Sequence, residues 1–131
     1  MNFSIEHLGL PARDTVALKD WYVKMFGAKV AYTDGGTPPV FFVRMPGGVV
    51  LEIYPAGSSV KETRDNNVAG WRHVALRVES IETTKALLEE RGVKFTEQIK
   101  PAGGVGRVLY FADVEGNLLH LVDRPANSPL V

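Results

Sequence analysis

Apolar residues follow the same succession of patterns twice along this chain. In each half, a short apolar run is followed by a stretch in which apolar side chains recur with helical spacing. The runs are Leu8–Leu10 and Val74–Leu76, and the helical stripes are Leu18, Trp21, Tyr22 and Met25 in the first half and Ile81, Thr84, Leu87 and Leu88 in the second. We therefore predict a strand and then a helix in each half.

Residues typical of helix ends bracket both stripes. Asp14 and Ser80 precede them, and a short side-chain oxygen at that position accepts hydrogen bonds from the free amides of the first turn. Gly27 and Gly92 follow them, where glycine is favoured because the backbone often takes a positive φ. These four residues predict where the two helices begin and end.

Each half continues with three further β-prone stretches. A turn, Gly47-Gly48 or Glu115-Gly116, precedes the last stretch of each half. The stretches are residues 28–32, 40–43 and 49–54 in the first half and residues 93–96, 107–111 and 117–122 in the second. The sequence therefore predicts an α+β fold of two tandem βαβββ modules, which form a curved mixed sheet around a cleft.

The 131 residues suit one domain. We expect module 1 at about 1–57, a polar linker at 58–69, module 2 at about 70–124, and a C-terminal tail at 125–131 that trails off the last strand. The glycine-rich stretch 103–106 is expected to form a mobile loop beside the cleft.

Composition narrows the class of function. Fifteen basic residues balance fifteen acidic ones, so no net charge attracts nucleic acid. Absence of cysteine excludes disulfides, thiolate zinc sites and cysteine nucleophiles. No basic-then-apolar leader begins the sequence, and no apolar run approaches the roughly 18 residues of a membrane span, so we expect a cytoplasmic protein without a membrane or nucleic-acid partner.

Four polar residues interrupt apolar strands at positions equivalent in the two halves. These are His7 and His73 in the first strands and Glu52 and His120 in the last. Because side chains alternate along a strand, all four are predicted on the face away from the helices. Imidazole and carboxylate suit zinc, nickel, cobalt, manganese or ferrous iron, so the pattern predicts one divalent metal held by these four residues.

With these residues in place, the chain resembles the vicinal oxygen chelate superfamily, which includes glyoxalase I, fosfomycin- and bleomycin-resistance proteins and extradiol dioxygenases. The motifs are residues 7–10 leading to 20–22 and 26–27, then 51–53, 70–75 and 116–121. The resemblance implies paired modules over one metal that chelates adjacent oxygens of a small-molecule substrate, and a homodimer. Whether the modules pair within one chain or across two stays open.

The chain departs from glyoxalase I itself. That enzyme has glutamate where His120 stands here, and arginine and asparagine hold glutathione where this chain has Pro11 and Ala56. The resemblance therefore implies a glyoxalase-type lyase or isomerase that acts on a small oxygen-rich metabolite other than a glutathione conjugate. The alternatives are a protein that sequesters an antibiotic or aromatic ligand and an Fe(II) dioxygenase.

Several residues are candidates to contact the substrate. Glu52 is the one carboxylate among the four predicted ligands, and hence the candidate general base if it loosens from the metal. Trp71, Tyr54 and Tyr110 are candidates to wall an apolar pocket, and Arg107 to bind an anionic group. Packing in a core or an interface is the alternative role for each aromatic residue.

Overall fold

The computed structural model describes residues 1–58 and 64–131. They belong to two compact units, Met1–Lys61 and Glu62–Val131. The first contains β1 (His7–Ala12), α1 (Thr15–Phe26), β2 (Lys29–Thr33), β3 (Phe41–Arg44) and β4 (Val50–Pro55); the second contains β5 (His73–Arg77), α2 (Ile81–Glu90), β6 (Lys100–Pro101), β7 (Arg107–Ala112) and β8 (Leu118–Asp123). Each unit is a βαβββ module with one mixed sheet, which confirms the predicted fold class.

The two sheets share one topology. Their strand orders are β1-β4-β3-β2 and β5-β8-β7-β6, with the first strand parallel to the last and the other pairs antiparallel. Parallel strands need a long crossover connection, and in each unit it runs through the helix and the two intervening strands. The first and last strands, which carry the predicted metal ligands, are therefore neighbours in both sheets.

Both helices begin as the capping residues predict, and α1 ends at Gly27 as predicted, whereas the C-cap of α2 is Arg91, one residue before Gly92. Asp14 accepts a hydrogen bond from the amide of Ala17 at 2.9 Å, and Ser80 accepts one from Thr83 at 3.2 Å. Gly27 follows α1 with φ of 70°, a conformation that a side chain disfavours. Among the described residues, neither helix has the length and apolar character needed to cross a membrane.

The apolar face of each sheet is buried. Leu18, Val43 and Ile53 are fully buried in unit 1, and Leu109 and Leu121 are fully or almost fully buried in unit 2. Ile53 and Leu121 directly follow Glu52 and His120 in the chain. Because neighbouring residues of a strand point to opposite faces, burial of the apolar residue turns its polar neighbour to the other face of the sheet.

The predicted strand at residues 93–96 is wrong. In its place the structure has β6, only two residues long and later in the chain. The amide of Val93 donates to the carbonyl of Leu88 at the end of α2, and the ring of Phe95 packs 5.2 Å from that of Phe111. These apolar residues pack against the helix end and the sheet, and so they do not extend a strand ladder.

The C-terminal tail does not trail off the last strand, contrary to the expectation from the sequence. Ser128 is buried and donates to the carbonyl of Gly104, while one nitrogen of Arg124 donates to the carbonyls of Gly103 at 2.7 Å and Val105 at 3.0 Å. The loop exposes carbonyl groups that lack strand partners, and Arg124 at the end of module 2 and Ser128 in the tail supply their donors. The predicted mobile loop at residues 103–106 is therefore hydrogen-bonded to the tail.

We expect Gly106→Ala to lower the free energy of unfolding by at least about 2 kcal/mol. Gly106 has φ of 146°, and a Cβ atom there would lie 2.3 Å from the carbonyl oxygen of Asp123. Urea denaturation measures the loss. Gly57→Ala is the matched control, because a Cβ atom at Gly57 meets nothing within 4 Å. Equal stability of the two variants would contradict the expectation.

Candidate metal centre

Unit 1 brings together His7 and Glu52. His7 begins β1, and Glu52 lies in the adjacent strand β4, where the parallel register puts both side chains on one face. The Nε2 atom of His7 lies 3.7 Å from Oε1 of Glu52, and the Glu52 side chain is 30% exposed. The other ring nitrogen of His7, Nδ1, lies 2.8 Å from a carboxylate oxygen of Glu6.

Unit 2 brings together His73 and His120. Their ring centroids are 4.8 Å apart, from β5 and β8. Nδ1 of His73 lies 2.7 Å from the amide oxygen of Asn66, and Nδ1 of His120 lies 3.2 Å from the carbonyl oxygen of Leu121. Each oxygen is an acceptor, so in both rings the proton belongs on Nδ1 and the lone pair on Nε2.

Burial sets the charge of His120. The residue is 5% exposed, and burial lowers the pKa of its imidazole below the ordinary value of 6.5. The nearby His73 and the positive charge of Arg124 lower this pKa further, whereas the hydrogen bond to the Leu121 carbonyl raises it. At neutral pH the ring is therefore neutral, the form in which histidine binds a metal.

The donors fit a divalent ion of the zinc, nickel, cobalt, manganese or iron type. Imidazole nitrogens and a carboxylate are suitable ligands for these metals. Unit 1 holds His7 and Glu52 at close range, and unit 2 holds His73 and His120 at close range. Within residues 1–58 and 64–131, no group of three or more acidic or histidine side chains converges on one point.

Asn66 and Glu6 belong to the site although the sequence did not point to them. The amide of Asn66 contacts His73 and also donates to the hydroxyl of Tyr110 at 3.4 Å. Asn66 falls in the polar stretch interpreted as a linker, of which residues 59–63 lie outside the described part of the chain. For Glu6, the one feature of the sequence that indicates a role beside the candidate ligands is its position next to His7.

The candidate substrate residues differ in their placement. The ring of Tyr110 lies 4.8 Å from that of His120, and Tyr54 covers Gly9, whose added Cβ would meet the tyrosine ring at 3.4 Å. Both tyrosines therefore lie on the face that carries the histidines of their unit. Trp71 precedes β5 and is 99% exposed.

Arg107 lies on the opposite face of its sheet. Register pairs it with Asp123, and its guanidinium donates to Asp123 Oδ1 at 3.1 Å and to Glu82 Oε1 at 2.6 Å. Glu82 lies in the first turn of α2. Asp123 contacts the start of the same helix, because its carboxylate accepts a hydrogen bond from the amide of Ile81. The structure thus engages Arg107 in an ion-pair cluster at the helix, away from His73 and His120.

We expect this cluster to make stability depend on acid pH. Arg107 lowers the pKa of Glu82 from 4.5 to about 2 and also lowers the pKa of Asp123. Depressed folded-state pKa values stabilise the protein above pH 4.5, and this contribution is lost as the pH falls towards 2. Arg107→Met removes the contribution, so the stability gap from wild type is largest above pH 4.5 and closes near pH 2.

Urea denaturation from about pH 6 to about pH 2.5, across the window in which these carboxylates titrate, measures this dependence. Lys94→Met removes an exposed positive charge elsewhere and is the matched control. An Arg107→Met protein with the pH profile of wild type would contradict the expectation.

Comparison with known proteins identifies the family. The profile of the Glyoxalase/Bleomycin resistance protein/Dioxygenase superfamily matches residues 4–121, nearly the whole chain. The chain belongs to this superfamily. The match confirms the resemblance drawn from the motifs. No curated protein matches the sequence.

Several solved structures are similar to this chain over nearly its whole length. A glyoxalase family protein from Enterococcus faecalis is 26% identical with a TM-score of 0.76, over 91% of this chain and 96% of that one. A superfamily domain from Frankia is 25% identical with a TM-score of 0.71, over 97% and 96%. The fosfomycin resistance protein FosX of Listeria monocytogenes, in a complex of a mutant form with Mn(II) and 1S,2S-dihydroxypropylphosphonic acid, is 22% identical with a TM-score of 0.73, over 96% and 94%.

Proposed function

We propose that this superfamily member is a divalent-metal-dependent lyase or isomerase that acts on a small, oxygen-chelating metabolite. His7, Glu52, His73 and His120 are its metal ligands. One observation carries the proposal: Nδ1 of each histidine in the chain faces a hydrogen-bond acceptor, namely Glu6, Asn66 and the Leu121 carbonyl. Metal-binding histidines characteristically donate their second ring N–H to such an acceptor, which orients Nε2 towards the metal.

Glu52 is the proposed base. Its Oε1 atom lies 3.7 Å from Nε2 of His7, and its side chain is 30% exposed, so the carboxylate is accessible to a substrate proton. A divalent ion, when bound, polarises two neighbouring substrate oxygens as a Lewis acid. A proton on the carbon beside those oxygens then becomes more acidic, and Glu52 accepts it. The family resemblance also supports a homodimer, which sedimentation measures.

Hydrogen exchange tests this chemistry without knowledge of the natural substrate. A panel of small 2-hydroxy ketones is incubated with metal-repleted protein in D2O, and NMR follows deuterium incorporation beside the carbonyl. We expect exchange with wild type and its loss in Glu52→Gln, which removes both the proposed base and a proposed metal ligand, while Glu90→Gln exchanges as wild type does. Absence of exchange in a wild-type protein that holds its metal would overturn the lyase or isomerase proposal. Oxygen uptake with iron-loaded protein and catechol would support the dioxygenase alternative instead.

A fosfomycin-directed activity is the second candidate. It is supported by the likeness of fold to FosX, whose complex contains Mn(II) and a dihydroxypropylphosphonic acid. Phosphorus NMR of fosfomycin with Mn(II)-repleted protein tests it. A new resonance would establish fosfomycin opening, and an unchanged spectrum would remove this candidate.

We expect Asn66→Ala to weaken metal binding by about 10–100-fold, the usual effect of removing the partner that orients a ligand. Asn66 fixes both the ring of His73 and the hydroxyl of Tyr110. Competition with a chromogenic chelator measures the affinity. Asn67→Ala removes the neighbouring side chain and is the matched control. Equal metal affinity in the two variants would show that Asn66 does not position His73.

A further inference from the structure

A hollow of about 440 Å³ lies on the sheet face of unit 1 that carries His7 and Glu52. It is lined by Glu6, Ala31, Tyr32, Phe42, Arg44 and Val50. Register places Val50 directly beside His7 and Phe42 directly beside Glu52. The hollow therefore adjoins the proposed pair of metal ligands.

The walls of the hollow are mainly apolar and aromatic. The ring of Phe42 stands edge-on to the ring of His7 at 5.5 Å and to the ring of Tyr32 at 6.0 Å. Val50 and Ala31 complete this surface. Aromatic walls beside a polar centre suit a flat, apolar ligand body.

One cation, Arg44, lines the hollow on the side away from His7, and Lys29 lies beside it on the neighbouring strand. Arg44 in β3 pairs directly with Lys29 in β2, so both side chains belong to this face. Like charges directly opposite one another destabilise a sheet. Within the described part of the chain, Arg44 donates to the carbonyl of Gly48 at 3.3 Å, and neither cation forms an ion pair with a carboxylate. Glu6, the acidic residue of the lining, contacts His7.

We propose that this hollow binds a substrate with an aromatic or similarly flat apolar body, and that Arg44, with the positive charge of Lys29 beside it, binds an anionic group at its far end. The inference rests on the proposed function, because the chelating oxygens of the substrate point to His7 and Glu52. Arg44 is two strands from His7, or about 10 Å between backbones. This distance suits a ring with adjacent oxygens at one end and a carboxylate at the other.

Titration calorimetry with two matched probes tests the proposal. The probes are 3,4-dihydroxybenzoate, which has the carboxylate, and 3,4-dihydroxybenzamide, which differs only in lacking the charge. We expect metal-repleted wild type to bind the acid at least about 10-fold more tightly than the amide, since a charge-assisted hydrogen bond supplies this difference. Arg44→Gln is expected to lose the preference. Lys24→Gln, which removes an exposed cation on α1, is expected to keep it.

The metal content of the same samples separates the two proposals. Equal binding of acid and amide by metal-loaded wild type, absence of binding by both, or an unchanged preference in Arg44→Gln would each overturn the anion site and leave the metal site standing. A wild type without metal would overturn the proposed function. In that case the comparison is repeated with benzoate and benzamide, which lack the chelating oxygens. A preference for benzoate that Arg44→Gln abolishes would support the anion site independently of the metal site.

Discussion

His120→Ala is expected to weaken divalent-metal binding by more than about 100-fold, beyond the loss typical of an outer partner of a metal ligand. His120 is 5% exposed, and its ring is held between that of Tyr110 and that of His73, each 4.8 Å away. No other side chain on β8 replaces it, because the neighbours Leu119 and Leu121 point into the core. Elemental mass spectrometry after metal repletion and dialysis measures the content, and chelator competition measures the affinity.

Two comparisons make this expectation specific. Glu52→Gln removes a carboxylate from the proposed site, and Glu90→Gln removes one from the end of α2, so only the first should lose metal. The metal that wild type retains then separates the chemistries: nickel, cobalt or zinc suits a lyase or isomerase, and iron suits an oxygenase. An His120→Ala protein that retains as much metal as wild type would show that His120 is not a ligand.

The repeated pattern was sufficient to predict the strands that carry the four candidate ligands. The period-two alternation beside Glu52 and His120 places Ile53 and Leu121 in the core, and burial of these residues fixes which way the polar side chains point. Gly27 and the capping residues likewise act through local geometry. Local rules therefore predicted the two modules and the sheet face of each candidate ligand.

Features that depend on contacts distant in sequence were not predictable in this way. Asn66 reaches Tyr110 across 44 positions, and Ser128 reaches Gly104 across 24. Neither residue carries a periodic or motif signal, since any polar residue in a loop has the same local appearance. Phe95 follows the same principle, because its β-propensity was overridden by packing on Phe111.

The candidate ligands and the core residues lie on opposite faces of the same strands. A shift of one residue in the β4 register would bury Glu52 and expose Ile53, leaving an unpaired carboxylate in an apolar core. The same constraint operates in β8, where Leu119 and Leu121 flank His120. Packing on the helix side of the sheet therefore holds the candidate ligands in position on the other side. Weaker packing is expected to lower the affinity of the proposed site for metal.

Ile53→Ala is accordingly expected to lower the free energy of unfolding by roughly 2–5 kcal/mol, because truncation of a fully buried side chain removes apolar contacts and leaves a cavity. The corresponding fall in Tm is roughly 5–20 °C for a domain of this size. Urea denaturation and calorimetry of metal-free protein measure both. Ile5→Ala is the same substitution at a residue that is 80% exposed, and it should leave Tm nearly unchanged. Equal Tm values for the two variants would contradict the burial of Ile53.

Added metal is expected to restore part of the stability that Ile53→Ala loses. A ligand that binds only the folded state stabilises it by about 2.7 kcal/mol at about 100 times its Kd. Ile53→Ala keeps all four proposed ligands, so added metal should raise its Tm by several degrees. His120→Ala lacks a ligand, and its Tm should not respond at the same concentration. A metal-dependent rise of equal size in both variants would mean that the ion stabilises the fold from somewhere other than His120, whereas a rise in Ile53→Ala alone would tie the stabilising ion to this histidine.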